Sequence, residues 1–180
     1  MPVWIWILIA GLAAAAVAWR LGGVWWKYRG KRAIMCPENV RPAGVVVDAA
    51  HASATALGGT PELRLSSCSR WPERAGCGQE CLAQIHASPE DCLMRNIVAR
   101  RLEGKKCANC GQVFGNISWA GSPPALLGAD KKSVEWQAIP AERIFEVLET
   151  SVPVCFACHT TLTMVREHPE LVTDRHRTRT

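Results

Sequence analysis

The chain has 180 residues and a mass of 19.7 kDa, enough for one ordinary domain or two small ones. With 48% hydrophobic and 21% charged residues, its composition is close to the globular average, which excludes a fibrous repeat and extensive disorder. Five of the 21 basic residues lie before residue 36, so the other 16 balance the 16 acidic residues and argue against a general nucleic-acid-binding surface.

The N-terminal segment has the composition of a membrane anchor. Residues 3–19 contain no charged side chain, and a helix of this length covers roughly 25 Å of the ~30 Å hydrocarbon core. Residues 21–26 extend the apolar stretch if the Arg20 side chain reaches toward the phosphate layer. Tryptophans lie near both ends, as in the interfacial belts of membrane helices. The sequence therefore predicts a transmembrane helix within residues 1–26, with residues 3–26 in contact with lipid.

The charges that flank this segment predict its orientation. Four basic residues follow it, whereas only the terminal amine precedes it; they are Lys27, Arg29, Lys31 and Arg32. The positive-inside rule therefore places the N-terminus outside and the body in the cytoplasm, as in a single-pass protein of a bacterial inner membrane. Two alternatives to the anchor remain open. The first is a cleaved signal peptide, which would fit the Ala-Val-Ala sequence at 16–18, although this segment lacks the basic residues with which a secretory signal normally begins. The second is a buried helix of a soluble protein.

The remainder of the chain is predicted to be α+β, with two small cysteine-rich modules that each bind a metal ion. Residues 27–35 are predicted as a basic juxtamembrane linker, 36–104 as the first module, 105–170 as the second and 171–180 as a basic tail. A helix over residues 76–86 would put two cysteines on one face. Further elements are predicted as strands at 43–48, 62–66, 117–120 and 134–139, and as helices that begin near residues 88, 140 and 161.

Two Cys-x-x-Cys motifs are the strongest chemical signal in the body. Cys107 and Cys110 form the first motif, and Cys155 and Cys158 form the second. Two intervening residues let a tight turn direct both sulfurs and its own N–H groups at one ion, and Gly111 lets the chain leave the turn with a positive φ. Two such turns supply the four sulfur ligands of a tetrahedral Zn²⁺ site.

On these motifs, residues 105–160 resemble the zinc-ribbon class. The resemblance implies a structural zinc ion held between two turns on a small sheet. Because four protein sulfurs leave no open coordination position, such an ion would be structural rather than catalytic. The stretch between the motifs is longer than a minimal ribbon needs, so we expect it to carry its own strands and helix.

Other chemistries are compatible with the same cysteines. Cys155, Cys158 and His159 match the C-x-x-C-H motif of c-type haem attachment, with His159 as the axial ligand. That attachment takes place outside the cytoplasm, which conflicts with the predicted topology. An iron–sulfur cluster also accepts four cysteines. A thiol redox pair and reduced cysteines in a packed core are the remaining alternatives.

The first module offers a second candidate ligand set. Its members are Cys36, Cys68, Cys77 and Cys81, and Cys92 is a possible substitute for one of them. Zinc is the first interpretation and an iron–sulfur cluster the second, while burial as ordinary core residues is the alternative. Trp71 lies between Arg70 and Arg74 in sequence, and we expect this segment to form a lid over the site.

The sequence predicts a tethered, non-enzymatic zinc protein that presents a surface to a protein partner. It contains no nucleotide-binding loop, metalloprotease helix or nucleophile elbow, and its five histidines are scattered, so neither a reaction nor a small-molecule substrate is indicated. The alternative function is electron transfer through an iron–sulfur or c-type haem centre. Nucleic acid is not expected as a partner.

Overall fold

The structure, a computed structural model, describes residues 2–74, 76–115, 117 and 119–171. The chain forms two compact units, which we call unit 1 (up to Ile97) and unit 2 (from Val98 onward). The division falls within a helix that runs from Met94 to Leu102. The predicted tail lies outside the described residues except for its first position.

Unit 1 begins with α1 (Val3–Tyr28), a helix of 26 residues. It is long and apolar enough to cross a membrane, and none of its most apolar stretch is buried. This exposure does not fit the core helix of a soluble protein, where such a surface would be covered. The residues predicted as a membrane segment therefore do form one continuous apolar helix.

The last third of α1 packs into the fold of unit 1. The Arg20 guanidinium donates hydrogen bonds to the carbonyl oxygens of Ala56 (3.0 Å) and Gly59 (3.2 Å). The sequence instead predicts that this side chain reaches toward lipid phosphates. The Ser53 hydroxyl donates to the Leu21 carbonyl at 2.7 Å. Tyr28 is buried in the core. The apolar stretch that projects from the unit is consequently residues 3–19.

A buried arginine completes the C-terminal end of α1. Arg32 has no exposed surface, and its guanidinium donates to the carbonyls of Tyr28 and Lys27, each at 2.6 Å. The last carbonyls of a helix have no partner within the helix, so a cation with several donors stabilises them. Arg32 is thus part of the fold and not an exposed charge of a linker, and Gly30 provides the required turn with φ +101°.

A three-stranded antiparallel sheet in the order β1-β2-β3 follows. Its strands are β1 (Lys31–Cys36), β2 (Arg41–Val47) and β3 (Leu65–Cys68), with α2 (Ala49–Thr55) between the last two. Strand β1 starts inside the stretch predicted as a linker, because the segment from Arg32 to Ile34 is buried against the core. The Asp48 carboxylate caps α2 by accepting from the His51 N–H at 2.9 Å.

The helix predicted over residues 76–86 is shorter than expected. Helix α3 spans only Leu82–Ala87, with Cys81 as its N-cap, and Cys77 lies in a non-helical segment. Two glycines disfavour helix here, and Gln79 adopts a positive φ of 53° while its side-chain oxygen accepts from the Leu65 N–H. The expectation that Cys77 and Cys81 share a helical face is therefore wrong.

The next helix also begins later than its sequence signals predict. Residues 89–92 form turns, and α4 spans Met94–Leu102. The Ala33 N–H donates to the Cys92 carbonyl at 2.9 Å, and Arg32 pairs with Leu93 as an isolated β-bridge. Pairing with β1 thus competes successfully with the local helical preference.

Unit 2 contains a small antiparallel sheet in the order β5-β4-β6. Its elements are β4 (Ala125–Leu127), β5 (Ser133–Glu135), α5 (Ile144–Thr150), β6 (Val152–Val154) and α6 (Phe156–Glu167). The predicted strand at 117–120 is not formed by residues 117, 119 and 120, and residue 118 lies outside the described part. The strand predicted at 134–139 is replaced beyond Glu135 by a 3₁₀ turn. Helix α6 begins directly after Cys155, five residues earlier than predicted.

Candidate metal centre

The first Cys-x-x-Cys motif forms a closed turn. Lys106 and Val113 pair as an antiparallel bridge, and the Cys107 N–H donates to the Gln112 carbonyl at 2.8 Å. The Gly111 N–H returns to the Cys107 carbonyl at 2.9 Å, and Gly111 has φ +75°. The sequence prediction of a tight turn that ends at a left-handed glycine is therefore confirmed.

The second motif lies on a helix and not on a second such turn. Strand β6 leads directly into Cys155, the N-cap of α6, and Cys158 lies in the first turn of this helix. The partial positive charge at a helix N-terminus stabilises thiolates. This placement differs from the two-turn arrangement that the zinc-ribbon resemblance implies, although the four cysteines still form a ribbon-like ligand set.

Three hydrogen bonds join the two motifs. The Ala108 N–H donates to the Pro153 carbonyl at 2.9 Å, which attaches the turn to β6. The Cys155 N–H donates to the Cys107 sulfur at 3.3 Å. The Asn109 amide donates to the Cys158 sulfur, also at 3.3 Å. The positions of the sulfurs are therefore set by backbone and side-chain contacts of the protein itself.

The four sulfurs have the spacing of ligands to one ion. Those of Cys107, Cys110, Cys155 and Cys158 all lie within 4.8 Å of one another, and the Cys110 and Cys155 sulfurs are 3.8 Å apart. Sulfurs placed ~2.3 Å from a tetrahedral ion are about 3.8 Å from each other, whereas a disulfide needs about 2.05 Å. All nine cysteines of the chain are free thiols. In the part of the chain that the structure describes, no other group of three or more potential ligands meets this distance criterion.

Hydrogen bonds prepare Cys107 for ionisation. Burial acts to raise the pKa of this thiol, but N–H groups of Cys110, Cys155 and Asn109 outweigh burial and lower the pKa to about 6. Hydrogen bonds to a thiolate favour the charged form in the same way as those to a carboxylate. Cys107 is thus ionised at neutral pH without a metal.

Two other thiols of the set, those of Cys110 and Cys158, oppose further ionisation. The Gln112 N–H acts to lower the pKa of Cys110, but the thiols of Cys107 and Cys158 raise it above its ordinary value. The Asn109 amide acts to lower the pKa of Cys158, but burial and Cys155 raise it. Several thiolates this close together repel one another unless a cation lies among them. The chemistry that this site supports is therefore the binding of a thiophilic metal ion.

His159 is directed away from the sulfur cluster. Its Nδ1 lies 2.8 Å from the Ser133 hydroxyl, and its Nε2 lies 3.7 Å from the Glu135 carboxylate. The sequence interpretation of this residue as a haem ligand gains no support, because its ring nitrogens already have partners on β5. Sequence reasoning also missed Asn109, whose position inside the first motif was the available signal.

The second predicted ligand set lies around one small cavity in unit 1. Cys36, Cys68, Cys77 and Cys81 line it together with Arg70, Trp71 and Arg74. Burial and the neighbouring thiols of Cys68, Cys77 and Cys36 raise the pKa of Cys81 to about 11. Cys92 packs against the same core but does not line the cavity.

Comparisons with protein-family models, with curated proteins and with solved structures find no match to this chain. The function of the chain is therefore inferred from the geometry of its own residues.

Proposed function

We propose that this protein is a membrane-anchored adaptor whose unit 2 is held together by a structural zinc ion. The observation that carries the proposal is the group of four free cysteine sulfurs within 4.8 Å of one another, contributed by Cys107, Cys110, Cys155 and Cys158. Four protein sulfurs complete a tetrahedral coordination shell, so the ion has no open position for substrate. A structural role is accordingly favoured over a catalytic one.

Zinc is favoured over a cluster or haem by the spacing of the sulfurs. A distance of 3.8 Å between the Cys110 and Cys155 sulfurs suits a single central ion. An iron–sulfur cluster places two or more irons and inorganic sulfide between its cysteines and needs a wider arrangement. Covalent haem would require Cys155 and Cys158 to form thioethers, which would remove them from the other two sulfurs.

Membrane anchoring is supported by α1, whose apolar stretch is unburied. The Arg29 guanidinium lies 3.2 Å from the centre of the Trp26 ring, an amphipathic pair of the kind found at membrane interfaces. Lys27, Arg29 and Lys31 remain as flanking charges after Arg32 is assigned to the core, and they favour a cytoplasmic body. A reducing compartment also suits unpaired thiols.

A partner-binding role is supported by an exposed groove in unit 2. The groove has a volume of about 310 Å³, and Val113, Phe114 and Phe156 are among the residues that line it. Val113 is 54% exposed and Phe156 is 37% exposed. Exposed apolar side chains grouped beside a structural metal fit an apolar segment of a protein partner.

Elemental analysis and absorption spectroscopy of the full chain, purified anaerobically in detergent, test the proposal. We expect a colourless protein with bound zinc, and the loss of one zinc equivalent in Cys107→Ser and Cys158→Ser. Cys92→Ser is the matched control, because Cys92 is a partly buried cysteine outside this set. An intense visible spectrum from iron, or unchanged metal content in Cys107→Ser, would overturn the zinc assignment.

A further inference from the structure

Four other cysteines surround a space of single-ion size in unit 1. Cys36 ends β1, Cys68 ends β3, Cys77 lies in the segment after β3, and Cys81 is the N-cap of α3. The cavity that they line has a volume of about 20 Å³, which is room for one water molecule or one ion. Four points of the chain that are separate in sequence thus bring a thiol to one closed space.

The turn after Cys36 has the same backbone geometry as the turn after Cys107. The Val40 N–H donates to the Cys36 carbonyl at 2.9 Å, and Val40 has φ +52°. In unit 2 the Gly111 N–H donates to the Cys107 carbonyl at the same offset and distance, and Gly111 has φ +75°. N–H groups two and three residues after each cysteine also donate toward its sulfur. Because such donors stabilise a sulfur that carries negative charge, the Cys36 turn is built like that of a metal ligand.

Cations lie where a tetrathiolate site needs them. The Arg70 Nη1 is 2.9 Å from the Cys36 sulfur and 3.1 Å from the Glu38 carboxylate, and Arg74 binds the same carboxylate at 2.9 Å. Both arginines line the cavity. Four thiolates around a divalent ion carry a formal charge of about −2, and the Glu38 carboxylate in the same lining makes the local charge about −3, which the two guanidinium groups reduce to about −1.

Apolar side chains complete the wall of the cavity. Ile34, Leu65 and Trp71 line it, and the first two are buried in the core of the unit. A dry wall of this kind excludes water and strengthens the interaction between sulfur and metal. The segment around Trp71 therefore lies where the sequence analysis expects a lid.

We propose that Cys36, Cys68, Cys77 and Cys81 bind one divalent thiophilic metal ion, of which Zn²⁺ is the expected occupant, and that Arg70 is a positioning residue for the Cys36 thiolate. This inference goes beyond the proposed function, because it gives unit 1 a metal centre of its own. The volume of the cavity suits one ion and not a polynuclear cluster.

Metal binding requires the four sulfurs to approach to about 3.8 Å from one another, closer than their present positions. The segment that carries Cys77 offers this movement. A side chain at Gly76 would meet no atom within 4 Å, and one at Gly78 would meet only the flexible Glu80 side chain at 3.9 Å. The other three cysteines are fixed at the ends of β1 and β3 and at the start of α3.

The first test counts metal ions in the full chain in detergent. We expect two zinc equivalents in the unmodified protein and in the control Cys92→Ser, and one equivalent in Cys68→Ser and Cys81→Ser. One equivalent in the unmodified protein that is retained in Cys81→Ser, or two in Cys81→Ser, would overturn the inference. An unchanged content in Cys107→Ser would instead overturn the proposed function, so the two failures are distinguishable.

The second test needs no cysteine variant and so does not depend on the folding of one. Alkylation of the zinc-loaded chain, followed by peptide mapping, should leave Cys36, Cys68, Cys77 and Cys81 protected until a chelator is added. During a chelation brief enough to leave the body folded, Cys92 should react at the same rate as before. Equal reactivity of Cys68 or Cys77 with and without chelator would contradict the assignment.

The third test addresses Arg70. Arg70→Met keeps all four cysteines, and we expect one of the two zinc equivalents to bind about 10-fold more weakly in competition with a chelator. Arg70→Lys should recover part of the affinity, because it restores the charge, and Arg41→Met on β2 is the control. Unchanged competition in Arg70→Met would exclude the positioning role.

Discussion

The side chain of Cys107 shows how backbone geometry sets the chemistry of one residue. It is 2% exposed, so desolvation opposes its charge, yet three N–H donors hold its pKa at about 6. Its neighbours Cys110 and Cys158 have pKa values above the ordinary one, because other thiols lie beside them and, for Cys158, because of burial. Cys107 thus starts as a thiolate, and an incoming cation must displace protons from Cys110 and Cys158.

This difference predicts a titration of the metal-free protein. Thiolate absorbance should show a step near pH 6 that is missing in Cys107→Ser and retained in Cys92→Ser. The folded pKa lies below the ordinary value of 9.0, so ionised Cys107 stabilises the fold fully above pH 9. That contribution decreases as the pH falls and is lost near pH 6. An unchanged low-pH step in Cys107→Ser would refute the assignment.

The Asn109 amide should tighten metal binding without being a ligand. Asn109→Ala removes the donor to the Cys158 sulfur, and we expect zinc affinity in chelator competition to fall about 10-fold. Gln112→Ala is the control in the same turn, since Gln112 contributes its backbone carbonyl there. If both variants lose zinc equally, the amide has no specific role.

At the scale of single elements, the end of α1 is the feature with the largest energetic consequence. Arg32 is buried and bidentate toward the last carbonyls of the helix, and it lies on β1. Removing it leaves the Tyr28 and Lys27 carbonyls without this donor, which costs about 1–3 kcal/mol for each group that stays unpaired. The arginine therefore joins α1 to the sheet of unit 1.

We accordingly expect Arg32→Met to destabilise unit 1 by about 2–5 kcal/mol, observed as faster limited proteolysis and a lower denaturation midpoint in detergent. Arg32→Lys should recover little, because an ammonium group cannot reproduce the two-pronged geometry. Arg41→Met, at an exposed position of β2, provides the comparison. Wild-type resistance of Arg32→Met to proteolysis would contradict the capping role.

Sequence patterns predicted the elements whose signals are local. The absence of charge from residues 3–19 predicted α1, and the two Cys-x-x-Cys motifs predicted that four sulfurs meet in unit 2. The patterns failed where long-range contacts compete with local preference. Cys92 and Leu93 pair with β1 instead of lying in the predicted helix, and Gln79 bonds to Leu65 and interrupts the predicted 76–86 helix. The spacing of the second Cys-x-x-Cys motif also does not show that Cys155 is the N-cap of α6, because this motif occurs both in turns and at the starts of helices.

At the scale of the whole molecule, the apolar helix α1 leads into the sheet of unit 1, and both units carry a set of four cysteines. Small cores of this kind gain much of their stability from bound metal, on the order of 10 kcal/mol for structural zinc. Prolonged chelation should therefore lower the near-ultraviolet circular dichroism and increase proteolysis of the body, while α1 remains helical in detergent. Full resistance of the chelated protein would show that the metal is not structural.

The orientation of the chain is tested with fusions at its C-terminus. We expect a green fluorescent protein fusion to be fluorescent and an alkaline phosphatase fusion to be inactive, because Lys27, Arg29 and Lys31 favour the cytoplasmic side. Replacing these three residues with glutamine should weaken that preference. An active phosphatase fusion on the unmodified chain would place the body outside.

X-ray absorption spectroscopy at the metal edge of the full chain, purified without added metal, tests the central claim most directly. The four-sulfur geometry predicts a zinc edge and a single shell of four sulfurs at ~2.3 Å, with no metal–metal distance. Oxygen ligands in the shell or a short metal–metal distance would contradict this claim. So would a metal-free protein in which Cys107 or Cys110 forms a disulfide with Cys155 or Cys158.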